Sequence, residues 1–104
     1  MEFIETTGFS KQRENYFDDE QFHLLQLYLM DFPDAGDVIR GSGGVRKLRW
    51  GLAARGKRGG LRVVYYWITK QRQILFLTVY RKNEAANLSQ EAISEMKRLV
   101  KSLG

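Results

Sequence analysis

The sequence predicts a single α+β domain: N-terminal helices, an antiparallel sheet of three to four strands, and one C-terminal helix. Apolar residues at helical spacing lie near the two ends of the chain. Between them lie two segments rich in Val, Ile, Leu and aromatic residues, joined by only four residues. A length of 104 residues suits one hydrophobic core, so we expect residues 1–104 to form one domain.

The N-terminal segment is expected to form one short strand and two helices. The strand is predicted over residues 3–6 and the first helix over residues 9–16. The second helix, over residues 19–32, has a stronger signal because Asp18 and Gln21 are spaced as a capping box. Its boundaries are therefore better defined than those of the elements before it.

The second helix carries an apolar stripe that we expect to face the core. Its members recur at spacings of three and four residues: Phe22, Leu25, Leu29 and Phe32. Phe17 precedes the capping residue and is placed to contact Phe22 across the helix start. Pro33 is expected to end the helix.

Three strands and a helix complete the predicted fold. Residues 45–50 alternate between two faces and lie between glycine-containing loops. Residues 61–69 and 74–80 are expected to pair as an antiparallel hairpin. The last helix begins near Ser89 and has one apolar face, formed by Ile93, Met96, Leu99, Val100 and Leu103.

Charged residues are unevenly distributed along the chain. Residues 1–39 hold nine acidic and two basic side chains, whereas residues 40–82 hold twelve basic side chains and no acidic one. Without acidic neighbours in sequence, these like charges are brought together by folding unless a polyanion neutralises them. The distribution favours a nucleic-acid backbone as partner over a merely solvated basic surface.

The composition excludes several classes of protein. Zero cysteines exclude disulfides and thiolate chemistry. His23 is the single histidine and is predicted to lie on the surface, so we expect neither a His-pair ribonuclease site, nor a metal site, nor a cofactor. No apolar run approaches the roughly 20 residues of a membrane span, and no secretory signal is visible. A cytoplasmic location is expected.

Four basic side chains are predicted to meet on one face of the sheet. Alternation along the first central strand places Lys47 and Arg49 on one face and Arg46 on the other. Arg62 begins the next strand and Lys82 follows the last one, and antiparallel pairing brings these two strand ends together. We therefore predict a basic cluster, defined as Lys47, Arg49, Arg62 and Lys82.

Such a cluster has a chemistry that needs no metal ion. Arginine can hold a phosphodiester while negative charge gathers on its oxygens, and a lysine whose pKa is lowered by like charges can transfer a proton. RNA carries its own nucleophile, the 2′-hydroxyl, which DNA lacks. If the protein is an enzyme, the cluster predicts an RNA substrate, and it leaves open which lysine is the base.

Residues beside the cluster are predicted to bind RNA. Residues 51–57 match part of a P-loop, but Arg58 stands where a Ser or Thr is required and a strand follows, so we interpret them as a basic loop. Tyr80 ends its strand and can stack on a base. The predicted RNA-binding residues are Arg46, Arg55, Lys57, Arg58, Tyr80 and Arg81.

Four blocks of the sequence carry a family resemblance. They are residues 36–44, residues 45–49, residues 56–66 and residues 80–84, of which the basic Gly-Gly turn running into Arg-Val-Val-Tyr-Tyr is the most specific. Together they resemble the RelE/HigB-like toxins of bacterial toxin–antitoxin systems, within the RelE/ParE superfamily. The resemblance covers most of the chain and implies a single RelE-like toxin domain.

The resemblance also implies an activity and partners. Toxins of this kind are mRNA interferases, small ribonucleases that cleave mRNA in the ribosomal A site and stop translation until a cognate antitoxin silences them. The implied partners are therefore an antitoxin protein, the ribosome and mRNA. Lys47 and Arg49 match the family's basic strand positions, and Arg62 matches its phosphate-contacting arginine.

Two positions depart from the family pattern. Lys82 stands where the family has a second arginine, which changes a two-pronged clamp into a point charge. Asn87 and Leu88 stand where RelE-type toxins have an aromatic residue that stacks on the cleaved base. That stacking role is therefore vacant or passes to Tyr80.

Two other functions stay open at the level of the sequence. A ParE-like protein would inhibit DNA gyrase by binding alone, and a plain RNA- or ribosome-binding module would also perform no reaction. Neither needs the four side chains of the basic cluster to converge. Their convergence is therefore the feature that discriminates a ribonuclease from the two binding proteins.

Overall fold

The computed structural model describes residues 1–51, 60–82 and 88–103. In this part of the chain the elements follow in the order β1 (Glu2–Glu5), α1 (Thr7–Tyr16), α2 (Asp19–Asp31), β2 (Asp37–Val38), β3 (Arg46–Trp50), β4 (Leu61–Ile68), β5 (Gln73–Arg81) and α3 (Gln90–Ser102). The predicted α+β class is confirmed. None of the described helices is long and apolar enough to cross a membrane.

The sheet has more strands than predicted and is mixed. Its strand order is β1-β5-β4-β3-β2. The pairs β5–β4 and β4–β3 are antiparallel as expected, and β2, which was not predicted, is antiparallel to β3. By contrast, β1 pairs with β5 in parallel, Glu2 lying opposite Gln73. Pairing between segments so distant in sequence has no local signal, and β2 is only two residues long. The prediction of an antiparallel sheet of three to four strands is therefore corrected: in the described part of the chain the sheet is mixed and has five strands.

One face of the sheet packs against α1 and α2, and we call it the core face. Phe9 of α1 contacts Phe22 of α2 and Phe76 of β5, with ring centroids 5.8 and 4.7 Å apart. The fully buried residues here include Leu25 and Leu29 from the predicted stripe. Burial of these large apolar and aromatic side chains is the main stabilising contribution to the fold.

The capping residues predicted for α2 are confirmed, but one member of its stripe is not. Asp18 accepts a hydrogen bond from the Gln21 backbone N–H, and the Gln21 side chain accepts one from the Asp18 backbone. Phe17 contacts Phe22 as expected. Phe32, by contrast, is 53% exposed, because the helix ends at Asp31 and its backbone has left the helical path.

The opposite face of the sheet is covered by α3, and we call it the α3 face. Val64 and Leu75 are buried but lie outside the core shared with α1 and α2. Leu77 and Thr78 line one groove with Met96 of α3. No residue of α3 is itself fully buried, and Leu103, predicted on its packed face, is exposed. The helix therefore forms an open cover over part of this face.

A bulge in β5 determines which face its last residues occupy. Leu77 is an extra residue between Phe76 and Thr78, which have partners on β4. If the side chains of β5 alternated strictly between the two faces from Phe76 onwards, Tyr80 would point to the core face. Because of the bulge, Val79 enters the core and Tyr80 lies on the α3 face.

Candidate active site

Three polar side chains form a row across the end of the α3 face. Arg49 of β3 lies opposite Arg62 of β4, and Arg62 lies opposite Tyr80 of β5. Directly opposed residues of antiparallel strands share a face, with Cα atoms roughly 4.5–5.5 Å apart. The neighbours of Arg62 along β4, Leu61 and Val63, point into the core, which fixes the row on the other face. We call Arg49, Arg62 and Tyr80 the basic row.

Lys47 extends the basic row along β3. It lies two residues before Arg49, so both side chains share the α3 face about 7 Å apart along the strand. Its cross-strand neighbours are Val64, which is buried, and Asp37 of β2, which is exposed. Lys47 is half-buried, whereas Arg49 is exposed. The place of the Asp37 carboxylate beside Lys47 was not predicted, because a two-residue strand has no detectable alternation.

Lys82 approaches the basic row through the backbone. It follows β5 directly, and its backbone N–H donates to the Gly60 carbonyl at 3.0 Å, which continues the pairing of β4 and β5 by one step. Lys82 is exposed and stands two residues after Tyr80. The strand ends that carry Arg62 and Lys82 therefore meet as predicted.

Arg46 and Arg81 lie on the other side of the sheet. The Arg46 guanidinium donates to the carbonyl oxygens of Gly36 and Asp34, at 2.7 and 3.1 Å. The Arg81 guanidinium lies 5.5 Å from the centre of the Tyr16 ring in α1. Although both were predicted to bind RNA, the structure does not bring either of them to the basic row. The three other predicted RNA-binding residues, Arg55, Lys57 and Arg58, lie outside the described residues.

Tyr80 has a distinct electrostatic environment. Partial burial raises the pKa of its phenol above the ordinary 10.0, and the positive charge of Arg62 opposes this shift. The phenol therefore keeps its proton at neutral pH and can donate a hydrogen bond. Its place beside Arg62 is consistent with the prediction that Tyr80 lies next to the basic cluster.

A buried serine, which the sequence analysis did not identify, shapes the turn before β3. The Ser42 hydroxyl donates to the Ile39 carbonyl at 2.6 Å and accepts from the Val45 backbone N–H at 2.9 Å. Gly43 and Gly44 on this turn have φ angles of 84° and 116°, which residues other than glycine rarely adopt. The turn fixes where β3 begins and hence which face receives Lys47. Its Gly-Ser-Gly-Gly sequence is the signal that could have identified it.

Tyr65 anchors the segment that leads into β2. Its hydroxyl donates to the Pro33 carbonyl at 2.8 Å and accepts from the Gly36 backbone N–H at 3.0 Å. A Cβ atom on Gly36 would lie 3.0 Å from the Lys47 backbone, so glycine is needed for this close approach. Tyr65 is therefore a core residue whose phenol also positions the strand that flanks Lys47.

The gathered groups suit a phosphodiester better than a metal ion. Two guanidinium groups can each donate two hydrogen bonds to phosphate oxygens, and the phenol and the lysine ammonium supply further donors. Within residues 1–51, 60–82 and 88–103, no three His, Cys, Asp or Glu side chains are grouped as metal ligands. His23 is exposed on α2, as predicted.

Comparisons with known proteins connect this geometry to one family. A family model described as the RelE toxin of the RelE/RelB toxin–antitoxin system matches residues 36–104. A free-state double arginine-to-alanine mutant of the E. coli toxin RelE is similar in structure, with a TM-score of 0.64 and 16% identity over 95% of this chain and 96% of that one. Isolated E. coli RelE gives a TM-score of 0.54 and 18% identity, covering 94% and 97% of the two chains. At these identities the structural matches establish a shared fold.

Proposed function

Because the chain belongs to the RelE toxin family of RelE/RelB toxin–antitoxin systems, and is therefore a toxin with an antitoxin partner, we propose that it is a ribosome-dependent mRNA endoribonuclease that inhibits translation. The observation that carries the proposal is the convergence of Arg49, Arg62 and Tyr80 on one face of three adjacent strands, with Lys47 beside them. The proposed substrate is mRNA in the ribosomal A site, and the proposed location is the cytoplasm.

The proposed reaction uses the 2′-hydroxyl of the RNA as nucleophile. A base removes its proton, the 2′-oxygen attacks the adjacent phosphorus, and the bond from phosphorus to the 5′-oxygen breaks as that oxygen gains a proton. The products are a 2′,3′-cyclic phosphate and a free 5′-hydroxyl. Every atom comes from the RNA or from protons exchanged with side chains, so we propose that no metal ion takes part.

Arg62 is assigned the central part in this reaction. It lies between Arg49 and Tyr80 in the basic row, so it is the member with a polar neighbour on both sides. Its guanidinium would hold the phosphate and offset the charge that builds on the non-bridging oxygens during attack. Arg49 would hold the same phosphate from β3, and Tyr80 would donate a hydrogen bond or stack on the adjacent base.

Lys47 and Lys82 are the two candidates for proton transfer. Lys47 is half-buried on the α3 face beside Arg49, whereas Lys82 is exposed at the end of the β4–β5 ladder. Because Lys47 lies on β3 and Lys82 lies directly after β5, one can serve the 2′-hydroxyl and the other the leaving 5′-oxygen.

Mapping of RNA ends tests the proposal directly. Wild-type protein and Arg62→Ala are expressed in separate cultures, and RNA 5′ ends are sequenced soon after induction. We expect new ends inside the codons of translated messages for the wild type and their loss for Arg62→Ala. A folded Arg62→Ala that still arrests growth and yields the same ends would overturn the proposed site.

The same cultures separate the ribonuclease from the two binding functions. A gyrase inhibitor would produce DNA breaks and no new ends within codons. A plain ribosome-binding module would stall translation and leave the messages intact. Either outcome would remove the ribonuclease assignment.

A further inference from the structure

The outward face of α2 is apolar, which is unusual for a helix whose opposite face is already buried. Leu24, Leu27 and Tyr28 are 53%, 43% and 38% exposed, and they recur at the spacing of one helix face. Phe22, Leu25 and Leu29 occupy the other face and are buried in the core. The helix is therefore apolar on two sides, of which the described part of the chain covers only one.

Two aromatic residues extend this outward face beyond the helix. Tyr28 contacts Phe32 and Trp50, with ring centroids 5.2 and 5.3 Å apart. Phe32 is more than half exposed, and Trp50 is half-buried at the end of β3. We call Leu24, Leu27, Tyr28 and Phe32 the α2 stripe. It is distinct from the core-facing stripe that was predicted for the same helix. A contiguous exposed apolar surface of this kind is characteristic of a protein-binding site.

Acidic residues lie at both ends of the α2 stripe. Glu20 precedes Leu24 by four residues, and Asp31 follows Leu27 by four. Both carboxylates therefore lie on the same helix face as the α2 stripe. Neither carboxylate forms an ion pair with any residue in the described part of the chain. The stripe is thus bounded at each end by negative charge that no residue within 1–51, 60–82 or 88–103 neutralises.

The position of these charges decides between possible occupants. RNA is disfavoured because its phosphates would face Glu20 and Asp31. A second copy is disfavoured as well, because pairing the stripe with itself brings acid against acid in either helix orientation. The arrangement favours a protein segment that has apolar side chains in its middle and Lys or Arg at both ends.

We propose that the α2 stripe is a docking surface for a segment of the antitoxin that has an apolar middle and basic ends. The segment would place apolar side chains against Leu24, Leu27 and Tyr28, and basic side chains against Glu20 and Asp31. The proposal rests on the antitoxin partner implied by the family and does not depend on ribonuclease activity. Docking here would leave the basic row uncovered, because the row lies on the other face of the sheet.

Titration of the full-length toxin with its cognate antitoxin tests this surface. Leu24→Glu/Leu27→Glu should weaken binding at least about 30-fold, the loss typical of central interface residues. Glu20→Lys/Asp31→Lys should weaken binding about tenfold and reduce its dependence on salt. All four side chains are exposed, so the far-ultraviolet circular dichroism and melting temperature should stay close to those of the wild type.

Leu103→Glu is the matched control. Leu103 has an exposure similar to that of Leu27 but lies at the end of α3, on the other side of the sheet. Binding by this variant should stay within about threefold of the wild type. An equal loss of binding in the control, or wild-type binding by Leu24→Glu/Leu27→Glu, would overturn the proposed surface.

Two further outcomes would count against the proposed docking surface. A third would distinguish the docking surface from the proposed ribonuclease activity. Tighter binding by Glu20→Lys/Asp31→Lys would contradict a basic partner segment. A wild-type dimer that dissociates in Leu24→Glu/Leu27→Glu would assign the α2 stripe to self-association. If the wild type binds antitoxin through the stripe but cleaves no mRNA, the proposed ribonuclease fails and the docking surface stands.

Discussion

The arginines on the two faces of the sheet have different surroundings, although the Arg62 guanidinium also donates to a backbone carbonyl, that of Leu61, at 3.3 Å. On the core face, Arg46 is held by the carbonyl oxygens of Gly36 and Asp34 and Arg81 lies over an aromatic ring, so both act within the fold. On the α3 face, Arg49 and Arg62 lie side by side with Tyr80 at the open end of the sheet. Residue type is the same on both faces, and position in the strand alternation decides which arginine can meet a substrate.

The largest effect should come from the lysine that removes the 2′-hydroxyl proton. Replacing the true base by glutamine, as Lys47→Gln or Lys82→Gln, should lower the single-turnover cleavage rate of ribosome-bound mRNA by about 10²–10⁴-fold. Lys47 is only half-buried and Lys82 is exposed, so the melting temperature should change little. Activity close to the wild type in both variants would show that neither lysine transfers a proton and would remove the cluster's proposed chemistry.

An intermediate effect is expected at Tyr80. Tyr80→Phe removes one hydrogen-bond donor beside Arg62 and should slow cleavage about tenfold, whereas Tyr80→Ala also removes the ring and should slow it further. Because burial raises the pKa of Tyr80 above 10.0, the phenol stays protonated at lower pH. The ratio of wild-type to Tyr80→Phe rates should therefore stay constant from roughly pH 6 to 9. A ratio that changes within this range would contradict a permanently protonated donor.

The smallest effect on cleavage is expected at Tyr65, whose phenol faces the core. Tyr65→Phe leaves the Gly36 N–H without its acceptor and should lower the free energy of unfolding by about 1–3 kcal/mol. Burial raises the pKa of Tyr65, so the unfolded state loses this proton first and wild-type stability should fall above about pH 10. Urea unfolding at several pH values should show a weaker alkaline fall in Tyr65→Phe. A large loss of cleavage with unchanged stability would contradict a purely structural role for Tyr65.

Local patterns in the sequence predicted which face of β3 each basic side chain occupies and where two of the helices begin. Period-two alternation correctly separated Lys47 and Arg49 from Arg46, because β3 is regular over its whole length. The capping box at Asp18 and the cap at Ser89 located two helix starts, since these contacts span only three residues. Features with a short sequence range were therefore the ones that could be predicted.

Features that depend on distant partners could not be predicted. The bulge at Leu77 moves Tyr80 to the α3 face, yet nothing in the alternation of β5 marks it. The parallel pairing of β1 and the two-residue β2 depend on contacts across the sheet. Phe32 fits the helical stripe by spacing, but the helix ends one residue earlier and exposes it.

The comparison of Arg62 with Arg81 tests the central claim most directly. The two residues are one position apart in the pairing of β4 and β5, because Arg62 lies opposite Tyr80 and Arg81 lies opposite Leu61. Because successive positions alternate between faces, Arg62 points to the α3 face and Arg81 to the core face. Substituting each by alanine removes the same charge from the same end of the sheet.

The measurement is single-turnover cleavage of ribosome-bound mRNA by purified wild type, Arg62→Ala and Arg81→Ala, each checked by circular dichroism. We expect Arg62→Ala to lose about 10²–10³-fold in rate, as for removal of a group that stabilises transition-state charge, and Arg81→Ala to stay near the wild type. Equal losses in the two folded variants, or a larger loss in Arg81→Ala, would contradict the assignment of the α3 face as the site of RNA cleavage.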